Sequence, residues 1–158
     1  MSGRIIGVGR LGAGDDGVGI AVIRALRQMV VGRWVELFEA EEPTALLPWL
    51  DTEEPVVIVD AVVGGGAVGD VMALDPVELG APNRPTPVSS HGIDVLGAIR
   101  LARILCQRDA PPSIALVGIN IRPPTGVSWG LSPDIEGAVP RAAVAALKRL
   151  AELDAAAR

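Results

Sequence analysis

At 158 residues the chain has the length of one domain, 1–158, and can bury a core without disulfides or a structural metal. Its composition, 49% apolar and 21% charged, excludes intrinsic disorder, while a net charge of -5 with no basic run excludes a nucleic-acid-binding surface. One cysteine makes no internal disulfide, MSGRIIGVG lacks a signal-peptide pattern, and no apolar run nears the ~20 residues of a bilayer span, so a cytoplasmic protein with no membrane association is expected.

In chain order, residues 4–9 read as a buried strand, and Val18, Val22, Ile23, Leu26 and Val30 carry helical spacing over 18–30. A second strand at 33–39 and a short helical stretch at 44–50 lead to PVVIVDAV, whose β-branched run predicts a parallel strand at 55–61 covered on both faces. A glycine cluster at Gly64–Gly66 ends it, and 69–75 reads as a shorter strand at a sheet edge. The polar, proline-rich DPVELGAPNRPTPVSS is expected as a loop over a functional surface. An amphipathic helix at 93–105, a last strand at 113–120 and a helical tail at 133–153 interrupted by Pro140 complete the chain. This alternation predicts an α/β/α sandwich with a mostly parallel, twisted central sheet of about five strands, a fold that binds ligands beyond the carboxyl ends of its strands.

Three motifs match a pattern and fail its context. Gly7, Gly9 and Gly12 spell the dinucleotide fingerprint, and Glu39 imitates its ribose-binding acid. Asp15 and Asp16, however, stand between the glycines and the first helical apolar residue. Carboxylate against phosphate at ~4 Å costs on the order of several kcal/mol. GVSWG, around Ser128, has the letters of a nucleophile elbow, but Pro123 and Pro124 precede it and the only histidine, His91, lies earlier in the chain, so it reads as a surface turn. A dyad of His91 with Cys106 also fails: on one helix the two would stand about 22 Å apart. Cys106 reads instead as a buried core residue.

What remains is a set of acids and one imidazole. Asp15 and Asp16 follow the first strand, Asp60 ends the third, and His91 sits at the entrance of the helix after PVSSHG, all at one predicted sheet edge. Singly, Asp15 or Asp16 reads as an N-cap of the helix at 17–30, Asp60 as a turn former and His91 as a residue beside the Ser89/Ser90 cap. Jointly, two carboxylates and an imidazole suit a divalent first-row metal such as nickel, zinc or iron, with coordination positions left open.

GVGRLGAGDDGVG, VVIVDAV, VSSHGIDVLGAI, LVGINIRP and GLSPDIEGAVP, in this order over nearly the whole chain, resemble the signature segments of the hydrogenase maturation proteases, which trim the C-terminus of nickel-iron hydrogenase large subunits. The resemblance implies metal contacts, and the cleavage site, at Asp16, Asp60 and His91. It implies no tightly bound cofactor, since the metal is the nickel already inserted in the substrate, which the protease contacts transiently as a mark of cofactor loading. The implied partner is the large-subunit precursor. The implied reaction is hydrolysis, of aspartic type, after the last nickel-ligating cysteine, with Asp16 or Asp60 as general base to water. A non-catalytic metal-responsive binding module and a dinucleotide-binding protein are the competing readings. The chain departs from the family pattern twice: Arg10 stands where asparagine is common, and FEAEEPTALL replaces an Asp-Gly-Gly-Thr stretch, leaving Glu39, Glu41 and Glu42 as candidates for that aspartate.

Overall fold

A computed structural model of the chain describes residues 1–29, 33–64, 66–79, 88–89, 94–105 and 112–158. Strand β1 (Gly3–Val8) leads through a 3-10 turn (Gly14–Gly17) into helix α1 (Val18–Gln28), followed by β2 (Val35–Ala40) and, after a second 3-10 turn (Pro43–Leu46), α2 (Leu47–Leu50). Then come β3 (Val56–Val63), β4 (Val71–Leu74), α3 (Pro76–Leu79), β5 (Val88–Ser89), α4 (Val95–Leu105), β6 (Ile114–Asn120) and α5 (Pro133–Ala156).

The sheet runs β2-β1-β3-β6-β4, with β5 pairing β3. Strands β2, β1, β3 and β6 are mutually parallel, and β4 lies antiparallel on β6. The predicted α/β sandwich is therefore the fold observed, and the 69–75 strand is at an edge. As the β-branched run required, β3 and β6 are central and buried on both faces.

Strand alternation divides the core in two. Ile5, Val57, Val59, Val117 and Ile119 point toward α1 and α5. Ile6, Val8, Val56, Ile58 and Leu116 point toward α2 and α4. Helix α1 lies so close on β1 that a Cβ on Gly7 would come within 2.1 Å of the Gly19 carbonyl, and one on Gly19 within 2.2 Å of that of Val8. Gly7, the first glycine of the apparent nucleotide motif, thus serves helix–strand packing.

Two regions differ from the sequence expectation. The stretch after β4, expected as a loop, contains regular elements: the Asp75 side chain accepts the Val77 N–H at 2.8 Å and starts the turn of α3, and β5 pairs with the end of β3. Helix α5 continues through Pro140. Pro140 faces solvent, so the carbonyl it leaves unpaired can be hydrated, while Ala138, Ala142, Ala143, Ala146 and Leu150 bury the opposite side across the break.

Candidate active site

Strands β1 and β3 are neighbours, and their carboxyl ends form the point where the sheet's connections diverge, α1 packing on one face and α4 on the other. Asp16 sits at the β1 end, in the 3-10 turn that Gly14 enters with φ of 59°, a left-handed conformation favouring glycine. Its side chain is fully buried, and Oδ2 accepts the Arg10 Nε–H at 3.0 Å. The turn is wedged against the strand exit, since a Cβ on Gly9 would lie 2.5 Å from the Asp16 carbonyl.

Asp60, buried at 5% exposure, lies on β3, and the turn carrying Asp16 packs on that strand. Alternation puts Asp60 on the α4 side with Val56 and Ile58. One carboxylate oxygen accepts the Ala61 N–H at 2.8 Å, which helps to fix the side chain. Beyond Asp60, Val62 and Val63 pair with Ser89 and Val88. Because β6 holds the other edge of β3 through Val62, β5 occupies the edge that β1 has vacated. The two acids expected at one edge are therefore on neighbouring elements there. His91 and Cys106 lie outside the described residues, and among the described residues no group of three His, Cys, Asp or Glu side chains could hold a metal.

Asp15 has a different task. Neither aspartate caps α1, whose N-cap is Gly17 with no side-chain bond. Asp15 instead accepts both the N–H and the hydroxyl of Ser132, the N-cap of α5. Sequence reasoning sought the cap partner on the adjacent helix and missed this pairing across the fold. It also missed Arg10 as the partner of Asp16, although Arg10 is the one cation between β1 and α1.

Glu39 forms ion pairs with Arg24 and Arg27 on α1, tying β2 to that helix. Glu42 accepts the Thr44 hydroxyl at 2.9 Å, and Glu41 is exposed in the same turn. Ser128 forms no elbow. It bridges Ala13 in an exposed extended segment, donating its N–H to the Gly12 carbonyl and accepting the Gly14 N–H. A cleft of about 340 Å³ opens between this segment and the acid loop, lined by Gly14, Asp15, Arg122, Trp129 and Ser132 among others. Val127 and Trp129 beside it are 82% and 78% exposed.

The sequence model of the hydrogenase maturation protease family HycI matches residues 20–149, a span that includes Asp60 and His91 and begins after Asp16. No curated protein matches the chain. Among solved structures, the hydrogenase maturating endopeptidase HybD from E. coli is similar at 23% identity and a TM-score of 0.75, over 96% of this chain and 93% of that one. HybD from Thermococcus kodakarensis is similar at 22% identity and 0.76, over 95% and 99%. HycI from the same organism is similar at 25% identity and 0.71, over 97% and 92%.

Proposed function

The chain belongs to the hydrogenase maturation protease family, and from that premise we propose that it removes the C-terminal extension of a nickel-iron hydrogenase large-subunit precursor once nickel has been inserted. The observation that carries this reading is the placement of two buried carboxylates on touching elements: Asp16 in the turn after β1, and Asp60 on β3 one residue beyond its last pair with β1. Such a pair offers oxygen donors to a divalent ion and leaves the rest of its coordination shell to another molecule. His91, in the segment between β5 and α4, supplies the third contact in this proposal.

The nickel is part of the substrate. Held by the precursor's thiolates, it is met at the edge by the protease's two carboxylates and imidazole, so that an empty precursor gains no hold on the site. Hydrolysis then needs no side-chain nucleophile. A water oxygen adds to the peptide carbonyl, Asp16 or Asp60 takes its proton, and the C–N bond breaks as the nitrogen leaves protonated. The cleft lined by Asp15, the residue before Asp16, with the exposed Val127 and Trp129 at its rim, gives the precursor's extended segment a surface to lie on.

The test is incubation of the purified protein with nickel-loaded and nickel-free precursor, read by mass spectrometry. Loss of the extension from the loaded form alone is the expected outcome. Binding without cleavage would identify a non-catalytic metal-responsive module, and equal cleavage of both forms would refute nickel recognition.

A further inference from the structure

We infer that Arg10 is a built-in counter-cation for Asp16, which holds the acid while no metal-bearing substrate is present and weights the site against free divalent ions. This inference rests on the reading in which Asp16 contacts the substrate's nickel.

The pairing is asymmetric. Asp16 is fully buried, whereas Arg10, whose Nε donates to it at 3.0 Å, is half exposed. A desolvated carboxylate is costly without a compensating charge, but a half-exposed guanidinium gives up little when it turns into water. The Arg10 main chain is held in the turn. Its carbonyl accepts the Ala13 N–H at 3.2 Å, and a Cβ on Gly17 would lie 3.3 Å from that same oxygen. Only the side-chain arm is free to swing, so the natural event at Asp16 is exchange of one cation for another.

The exchange discriminates between forms of the metal. An aqueous divalent ion approaching Asp16 brings its full charge against the guanidinium, and must displace it. Nickel already ligated by thiolates arrives with much of that charge neutralised, and with the precursor's other contacts to hold it in place. An uncharged amide side chain at this position could not act in this way. Arg10 touches Asp16 and not the reacting atoms, so it is a positioning residue.

The test titrates the purified full chain with Ni²⁺ by calorimetry, with Co²⁺ absorption as a spectroscopic check. The variants are Arg10→Gln, Arg10→Lys and the double change Arg10→Gln with Asp16→Asn. Arg10→Gln should tighten Ni²⁺ binding about tenfold, the effect of removing one like charge from a partly solvated site. Arg10→Lys, which keeps the charge, should stay within about twofold of the native protein on the same argument, and the double variant should lose the gain. A melting curve for each variant confirms that it is folded. Affinity unchanged or weakened in Arg10→Gln, an equal gain in Arg10→Lys, or no metal binding by any variant would each overturn the inference. Cleavage of nickel-loaded precursor by the native protein judges the proposed function separately: if it cuts while Arg10→Gln binds Ni²⁺ no better, only the role of Arg10 fails.

Discussion

The Asp15 carboxylate holds Ser132 twice, accepting its backbone N–H at 2.6 Å and its hydroxyl at 2.8 Å. Two residues far apart in the chain thereby join the acid loop after β1 to the start of α5, and the helix N-terminus gains a negative charge where its exposed amides favour one. The next residue, Asp16, turns inward to Arg10 instead. Adjacent identical side chains thus divide into one that ties the scaffold and one that is buried against Arg10.

Asp15→Ala should accordingly act on stability. Loss of a charged cap with two hydrogen bonds costs about 1–2 kcal/mol, a fall in melting temperature of about 2–8 °C for a chain of this size. Cleavage per folded molecule should stay within a few-fold of native. An unchanged denaturation midpoint would show that the cap contributes nothing.

Asp16→Asn should do the reverse. The amide keeps the volume, Arg10 can be hydrated where it stands, and a neutral group costs less to bury, so stability should change by no more than about 1 kcal/mol. Cleavage of nickel-loaded precursor should fall at least a hundredfold, with a metal contact and a candidate base removed together. Asp60→Asn and His91→Ala should lose cleavage likewise. A fully active Asp16→Asn protein would remove this residue from the site.

Trp129→Ala probes the cleft. The ring is 78% exposed, and exposed substitutions usually move stability by less than about 0.5 kcal/mol. If the precursor lies over Trp129, KM should rise several-fold, at the scale of one aromatic contact, with kcat little altered. Kinetics on nickel-loaded precursor separate the two parameters, and an unchanged KM would take the tryptophan out of substrate contact.

The parts of the fold legible in the sequence were those set by periodicity. The run VVIVDAV could only be a strand covered on both faces, and it is the centre of the sheet. Asp60, read from the sequence as the end of that strand, lies inside it instead, because the β-branched residues after it continue the strand to Val63, and it is buried. Pairings between distant segments had no such signal. Nothing in the residues around Asp15 points to Ser132, and Arg10 was visible only as a charge in an unusual place, since the turn at Gly14 that brings it onto Asp16 is a matter of backbone geometry. The glycines misled for a related reason: close packing of α1 and close approach of a pyrophosphate both call for the missing Cβ, and the letters alone do not say which.

That ambiguity yields the sharpest packing prediction. A Cβ on Gly19 would meet the Val8 carbonyl at 2.2 Å, the Val59 carbonyl at 2.5 Å and the Val8 nitrogen at 2.9 Å, all backbone atoms of central strands that cannot rotate aside. Gly19→Ala must therefore lift the start of α1 off the sheet, an overpacking cost of about 3 kcal/mol. Because α1 follows directly from the turn carrying Asp16, the shift should also misplace that carboxylate, so cleavage should drop further than the loss of folded protein explains. Gly137→Ala is the matched control. It lies in α5 with open space where its Cβ would go, and the better helix propensity of alanine should stabilise the protein by about 0.5–1 kcal/mol. Urea denaturation of both variants, with cleavage measured on the same preparations, decides the matter: a Gly19→Ala protein as stable as native would refute the close packing of α1 on β1.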